Sequence, residues 1–344
     1  MTAVRSEPHL TWVIGRGGLL GQNLESAIER TGETDAADPV DRNGTDAVLW
    51  RPPEPIAWLA PRAGAVDLRQ RVGEFLHAAG DRPWSVAWCA GAGVTGTTAS
   101  SLQLELAALR ETLDALSTAG RGRDGTFFFA SSAGAVYAGV GAPPYDESSP
   151  VHPLAPYGRA KLDAEALVTD WSHATGTPSL VGRIANLYGP GQNLAKAQGL
   201  ISQICRSHLT GQPVSIYVSL DTLRDYVFAP DCAALIVSGL ERLRQEQSAA
   251  DPGVKPIVVT KILASQRAIT IGAVIGEMRR IFKRSPRIVL GASAFSAMQA
   301  RDLSLRSRVW PDIDRRTLTP FPVGVATTTA DLLRRLQAGA VGGR

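Results

Sequence analysis

Short apolar runs alternate with amphipathic stretches through the first two-thirds of the chain. The apolar runs are Leu10–Ile14, Ala47–Trp50, Val86–Ala90, Thr126–Ala130 and Ser179–Ile184. Strands that are apolar throughout are buried on both faces, as in a parallel sheet covered by helices. Apolar spacings of three and four predict the intervening helices Leu20–Glu29, Leu102–Ser117 and Gly158–Thr169. These repeating strand-helix units predict an α/β fold built on a doubly wound parallel sheet.

The chain changes character after Pro190, where the predicted strands are short. The elements predicted there are strands at Val214–Val218 and Ile257–Thr260 and helices at Cys232–Gln245 and Ile271–Lys283. We therefore predict a main domain over residues 8–190 with parts of 210–260, a smaller C-terminal α/β lobe mainly over 191–336, and a flexible tail over 337–344. Glycine, proline and aspartate predict loops at Thr31–Thr45 and Gly139–Pro156.

Composition and charge narrow the possible functions. The chain has 344 residues, of which 44% are hydrophobic and 20% charged, as expected of a folded soluble protein. The net charge of +4 comes from dispersed arginines, which favours a pocket for an anionic ligand over a nucleic-acid or membrane surface. The first apolar stretch, Leu10–Ile14, is too short for a signal-peptide core or a membrane span. We expect a cytoplasmic protein.

The cysteines and histidines do not predict a disulfide or a metal site. Cys89, Cys205 and Cys232 are far apart and form no C-x-x-C pair, which fits a reducing compartment. The five histidines are also dispersed, without the spacing of metal ligands.

A glycine-rich turn directly follows the first predicted strand and opens the first helix. Its sequence is Gly15-Arg16-Gly17-Gly18-Leu19-Leu20-Gly21. Glycines at these spacings permit a tight turn and a close backbone approach, so that the helix N-terminus can face a pyrophosphate. The turn predicts dinucleotide binding; a turn with only a structural purpose is the alternative.

Tyr157 and Lys161 are four residues apart and lie on one face of a predicted helix. A free tyrosine has a pKa of about 10, and a neighbouring cation favours its phenolate form. The pair is therefore a candidate proton-transfer site, although the spacing alone also fits a surface contact between the two side chains.

Six segments together resemble the extended short-chain dehydrogenase/reductase superfamily, and within it the NAD-dependent epimerase/dehydratase family that acts on nucleotide sugars. In chain order they are Gly15–Gly21, Val66–Leu68, Ser131–Tyr137, Tyr157 with Lys161, Arg183–Gly191, and Arg224–Val227 followed by Asp231. The resemblance spans roughly residues 10 to 235. It implies a Rossmann-type fold, a C-terminal substrate lobe, bound NAD or NADP and a nucleotide-sugar substrate.

The resemblance also implies individual roles. Tyr157 is similar to the general acid/base, and Lys161 to the residue that holds the nicotinamide ribose and lowers the pKa of the phenol. Asp67 and Leu68 resemble residues that approach the adenine. Ala90 and Gly91, at the end of a strand, would border the dinucleotide.

Two further residues resemble positions that hold the diphosphate of the substrate, Asn186 and Arg224. For Arg224, an ion pair with Asp225 or Asp231 that stabilises the fold is the alternative.

The hydroxyl partner of the tyrosine departs from the family pattern. The matching position, three residues before Val136, is Ala133, and Ser132 is the nearest substitute. Gly134 and Ala135 stand where sugar-nucleotide dehydratases have an acidic pair, which argues against 4,6-dehydratase activity.

The second departure concerns cofactor choice. Relatives that use NAD place an acidic residue at the end of the second strand, where this chain has Arg51. Arg51, joined by Arg16, would attract a 2′-phosphate, which favours NADP; a solvated Arg51 is the alternative.

We therefore expect a ketoreductase or a 4-epimerase that transfers hydride at a sugar carbon, with Arg51 and Ala133 favouring the reductase. The alternative is a cofactor-binding sensor or scaffold of the same fold that has lost turnover. The resemblance further implies a homodimer formed through the helices Leu102–Ser117 and Gly158–Trp171.

Overall fold

A computed structural model describes residues 9–33, 47–56, 58, 61–94, 96–118, 120, 122–139, 141–194, 199–251, 254–291 and 300–339. The strands are β1 (His9–Ile14), β2 (Ala47–Trp50), β3 (Trp84–Trp88), β4 (Gly125–Ser132), β5 (Ser179–Ile184), β6 (Asn186–Tyr188), β7 (Val214–Ile216), β8 (Leu223–Phe228), β9 (Val258–Leu263), β10 (Ala268–Thr270), β11 (Ile288–Leu290) and β12 (Asp302–Leu303). The α-helices are α1 (Leu19–Glu33), α2 (Pro61–Ala79), α3 (Ala99–Ser117), α4 (Ala133–Val136), α5 (Pro156–Thr175), α6 (Leu200–Thr210), α7 (Ala229–Ala249), α8 (Ile271–Phe282) and α9 (Phe321–Gln337).

The main sheet is parallel and has the strand order β2-β1-β3-β4-β5-β9. All five strands predicted in the first two-thirds of the chain belong to it. The Rossmann-type doubly wound fold is therefore confirmed. Because parallel strands end at one edge of a sheet, the residues that follow β1, β3 and β4 lie close together.

Both faces of the sheet are covered, because successive side chains of each strand point to opposite faces. On β4, Phe128 packs into one core cluster with α1 and α7, whereas Phe127 and Phe129 pack into a second cluster with α2, α3 and α5. This arrangement explains why the strands are apolar throughout.

Helix α2 was not predicted, and the predicted loop Thr31–Thr45 begins too early. Helix α1 continues to Glu33, and residues 34–46 lie outside the described part of the chain. Helix α2 buries Leu68, Val72 and Phe75, whose spacing is helical. The polar residues between these positions conceal the pattern.

The strand predicted at Ile257–Thr260 is β9, which pairs in parallel with β5 and forms an edge of the main sheet. Lys261 on β9 is fully buried; its Nζ donates to Ser307 Oγ at 2.8 Å and to the Val309 carbonyl at 2.6 Å and pairs with Asp314 at 2.8 Å. These contacts bind the segment after β12 to the sheet.

The rest of the C-terminal region has its own small sheets and core. Strand β8 pairs with β6, β10 and β12, and β7 pairs with β11. Helices α6, α8 and α9 contribute Ile204, Val274 and Leu332 to a third core cluster. Of the predicted tail, residues 340–344 lie outside the described residues. Within the described residues, none of the helices combines the length and hydropathy needed to cross a membrane.

Candidate functional site

The glycine turn after β1 packs directly against the end of β3. The Gly18 amide donates to the Gly15 carbonyl at 2.9 Å, and Gly15 has φ +91°. A Cβ on Gly15 would lie 2.5 Å from the Ala90 amide nitrogen, and one on Gly21 would lie 2.8 Å from the Arg16 Cα. Only glycine fits either position without moving backbone.

Helix α1 begins at Leu19, immediately after this turn, and Leu20 anchors it in the core. Its first turn, which is described in full, carries no acidic side chain. The positive end of the helix is therefore suited to an anion such as a pyrophosphate. The residues present thus fit the predicted dinucleotide.

Arg16 and Arg51 both lie close to the carboxylate of Glu25, a contact that was not predicted from the sequence. Glu25 on α1 is buried, and its oxygens lie 3.3 Å from Arg16 Nε and 3.1 Å from Arg51 Nη2. Arg51 also pairs with Glu29 at 2.6 Å, and these contacts raise its pKa. Both arginine side chains remain substantially exposed, so that they can also meet a ligand at the end of β2.

Asp67 and Leu68 lie within α2. Leu68 is buried in the core beside Ile14 and Trp88, and the Asp67 carboxylate accepts from Arg71 Nε at 3.0 Å. Neither side chain lines the cavity that contains Tyr157, and their approach to an adenine stays a prediction.

Tyr157 and Lys161 line a cavity of about 30 Å³ at the carboxyl end of the sheet. Ala90, Glu105 and Phe129 also line it. Pro156 at the first turn of α5 fixes the start of the helix, which places Tyr157 and Lys161 on the face toward β4. The predicted acid/base pair and Ala90 therefore share one site, with Gly91 directly beside it.

Ser132 lies beside Tyr157. It ends β4, and its side chain hydrogen-bonds the Tyr157 hydroxyl. Ala133, the position that matches the family pattern, starts α4 and is fully buried. The structure therefore brings Ser132, Tyr157 and Lys161 together.

Lys161 is held beneath Tyr157 by the backbone of β4. Its Nζ donates to the Ala130 carbonyl at 2.9 Å and lies 5.8 Å from the centroid of the Tyr157 ring. Burial lowers the pKa of Lys161, while Glu105, Glu165 and Cys89 act in the opposite direction.

The pKa of Tyr157 is raised to about 12, mainly by burial and then by Glu105, while the hydrogen bond with Ser132 lowers it. This direction is opposite to the one expected from the sequence. The expectation considered Lys161 alone, whereas desolvation disfavours a phenolate and outweighs the distant cation. In the protein by itself, Tyr157 is therefore protonated at neutral pH.

A buried ion pair beneath the site was also missed. Arg183 on β5 binds Glu165 on α5 through Nη2 at 2.7 Å and donates to the Tyr137 hydroxyl at 2.8 Å. Ser131 donates to the same carboxylate at 2.5 Å. Glu165 follows Tyr157 and Lys161 at the same four-residue spacing, which is the signal that the sequence offered.

Asn186 and Arg224 lie on neighbouring strands, β6 and β8, where Asn186 Nδ2 donates to the Asp225 carbonyl at 3.0 Å. Arg224 is buried, and burial lowers its pKa. The carboxylates proposed as its alternative partners have other contacts, since Asp225 accepts from Ser265 at 2.8 Å and Asp231 from Thr319 at 2.7 Å.

Residues 11–251 match the NAD dependent epimerase/dehydratase family. Among curated relatives, the chain is 34% identical over 105 residues to a putative UDP-glucose 4-epimerase of Methanocaldococcus jannaschii, covering 30% of this chain and 34% of that protein. It is 34% identical over 109 residues to the dTDP-L-rhamnose 4-epimerase of Burkholderia thailandensis, covering 31% and 30%. The matched stretches thus span about a third of these relatives.

Solved structures share the fold over nearly the whole chain. The UDP-glucose 4-epimerase of Thermus thermophilus, in complex with NAD, aligns with a TM-score of 0.72 and 17% identity over 94% of this chain and 99% of that chain. RMD from Pseudomonas aeruginosa, complexed with NADPH, aligns with a TM-score of 0.70 and 22% identity over 96% and 99%.

Proposed function

This chain belongs to the NAD dependent epimerase/dehydratase family, and we propose that it is an NAD(P)-dependent enzyme that transfers hydride at a carbon, C4, of a nucleotide-activated sugar. The observation that carries the proposal is that Tyr157, with Ser132 at its hydroxyl, lines one cavity with Lys161 and with Ala90, against which the Gly15 turn packs. A bound nicotinamide dinucleotide supplies or accepts the hydride.

Each of the predicted site residues has its own role in this reaction. Tyr157 gives its proton to the oxygen on the reacting carbon during reduction, or takes that proton during oxidation. Ser132 hydrogen-bonds the Tyr157 hydroxyl and orients it toward that oxygen. Lys161 holds the nicotinamide ribose, and Asn186 and Arg224 bind the diphosphate of the substrate.

Arg51 and Ala133 favour the ketoreductase over the 4-epimerase. A ketoreductase consumes NADPH in each turnover, and an arginine suits the 2′-phosphate of that cofactor. Arg16 and Arg51 support NADP over NAD, because both side chains stay substantially exposed while they pair with Glu25 and can also meet a 2′-phosphate.

The test is turnover of nucleotide sugars and their 4-keto forms with each cofactor, followed by the absorbance of the reduced nicotinamide. Tyr157→Phe is expected to abolish turnover and leave cofactor affinity intact, because it removes only the transferable proton. Tyr217→Phe, at an exposed tyrosine, is the control and should keep full activity. Turnover that survives Tyr157→Phe would contradict the proposed role.

The second candidate is a cofactor sensor or scaffold. Ala133 favours it, since this residue stands where the family pattern has the hydroxyl partner of the tyrosine. Tight cofactor binding without turnover across the whole panel is the result that would select it.

We also propose a homodimer through α3 and α5, with Leu104 as an exposed apolar contact on α3. Sedimentation of the wild type beside Leu104→Lys tests this interface, since a buried lysine would dissociate the dimer.

A further inference from the structure

The segment that follows β3 lies against the Tyr157 ring. A Cβ on Gly93 would be 3.0 Å from both Cδ2 and Cε2 of that ring, so the Gly93 backbone is in direct contact with one ring edge. The position of this segment therefore determines how the Tyr157 ring is held.

Glu105 on α3 fastens this segment. Its Oε1 accepts a hydrogen bond from the Ala92 amide at 2.6 Å, and its Oε2 is 3.4 Å from where a Cβ on Gly91 would lie. The same side chain lines the cavity that contains Tyr157 and Lys161. One carboxylate thus contacts the segment and borders the acid/base pair.

The charged and titratable groups around the pair come from four elements. Lys161 and Glu165 are on α5, Glu105 is on α3, Cys89 follows β3, and Ser132 on β4 supplies a neutral hydroxyl. Among the carboxylates, Glu105 raises the pKa of both Tyr157 and Lys161, whereas Glu165 affects only Lys161 and is neutralised by Arg183.

We propose that Glu105 is a positioning residue of this site, which ties the segment after β3 against the Tyr157 ring and places a carboxylate beside Tyr157 and Lys161. The proposal rests on the hydride-transfer function above. A negative charge beside the phenol opposes loss of its proton, while the same charge stabilises the ammonium.

Two substitutions separate the hydrogen bond from the charge. Glu105→Gln keeps an acceptor for the Ala92 amide and removes the charge. Glu105→Asp keeps the charge and withdraws the acceptor, because its side chain is one methylene shorter. Glu111→Gln is the matched control, since Glu111 lies on the same helix and pairs with Arg69 at the surface.

Hydrogen–deuterium exchange of the Ala92 amide measures the strength of its hydrogen bond to Glu105 in the cofactor-free protein. Exchange is expected to be roughly tenfold faster in Glu105→Asp, the effect of losing one charge-assisted hydrogen bond. Glu105→Gln and Glu111→Gln should exchange like the wild type. Unchanged exchange in Glu105→Asp would overturn the positioning role.

The pH at which Tyr157 ionises measures the effect of the Glu105 charge. NMR of tyrosine labelled at Cζ follows it, and Tyr157→Phe identifies the signal. Glu105→Gln should shift the onset of ionisation to lower pH by roughly one unit, whereas Glu111→Gln and Glu105→Asp should leave it nearly unchanged. An unshifted onset in Glu105→Gln would refute the electrostatic part.

Neither measurement needs turnover, so failure of this proposal is distinct from failure of the proposed function. If a substrate is found, the pH profile of hydride transfer should shift in the same direction in Glu105→Gln. A profile that stays in place while the onset of Tyr157 ionisation moves would show that Glu105 does not act on the reaction.

Discussion

Gly21→Ala tests whether the glycine turn has the geometry of a dinucleotide site. The new methyl group would lie 2.8 Å from both the Arg16 Cα and the Gly15 carbonyl carbon. Both are backbone atoms, so no side-chain rotation can relieve the contact. The turn must move away from α1 or from the end of β3.

Two opposing effects determine how much Gly21→Ala changes the free energy of unfolding. Alanine is more favourable than glycine inside a helix by about 1 kcal/mol. Overpacking against a fixed neighbour costs about 1–3 kcal/mol, and contact with backbone belongs at the upper end of that range. We expect the free energy of unfolding to fall by roughly 2 kcal/mol.

The affinity for the cofactor should fall as well, because the backbone amides of a displaced turn no longer point at the pyrophosphate. Loss of one such hydrogen bond to a charged group corresponds to roughly tenfold to hundredfold weaker binding. Urea unfolding of the cofactor-free protein gives the first quantity, and titration with NAD and NADP by tryptophan fluorescence gives the second.

Gly17→Ala is the matched control, because no atom lies within 4 Å of the added Cβ. Its free energy of unfolding should stay within about 0.5 kcal/mol of the wild type. If Gly21→Ala binds either cofactor as tightly as the wild type, the turn is not the pyrophosphate site. A Gly21→Ala protein more stable than the wild type would show that the contact is relieved without cost.

Three other predictions concern charge. Glu25→Gln should raise affinity for NADP relative to NAD by roughly fivefold, because Arg51 is released toward a 2′-phosphate; an unchanged ratio in paired titrations would exclude Arg51 from that role. Arg183→Leu should lower the free energy of unfolding by roughly 3–5 kcal/mol because it leaves the Glu165 carboxylate buried without its cation. In urea unfolding, the double variant with Glu165→Leu should recover much of this loss, and a double variant as unstable as the single one would contradict the reasoning. The pKa of His9 is lowered to about 3, chiefly by burial, so its folded form binds fewer protons than the unfolded chain, and stability should fall as pH drops from about 6.5 toward 3. His9→Gln should flatten this pH dependence in thermal unfolding, and a dependence that persists would assign it to other groups.

The apolar strands and the glycine turn could be predicted because each is a local pattern. Leu10–Ile14 followed by Gly15–Gly21 specifies strand, turn and helix without reference to the rest of the chain. Tyr157 and Lys161 are likewise one helical turn apart, so their common face follows from the sequence alone.

The other features depend on contacts between residues that are far apart in the sequence. The pKa of Tyr157 follows from burial and from Glu105, a residue on another helix whose proximity no spacing reveals. Glu25 meets Arg51 only because α1 packs beside β2. Ser132 lies beside Tyr157, and Ala133 does not, because β4 continues to Ser132 and α4 turns the next residue into the core.

The pairing of β5 with β9 has a consequence for how the protein is made. During synthesis, β5 (Ser179–Ile184) leaves the ribosome long before its partner β9 (Val258–Leu263). Helix α1 likewise leaves it long before α7, the helix that packs against it. Until the later segment emerges, the nascent N-terminal part therefore carries an open hydrogen-bonding edge and an uncovered apolar helix face. The main sheet is completed only after residues far along the chain have been made.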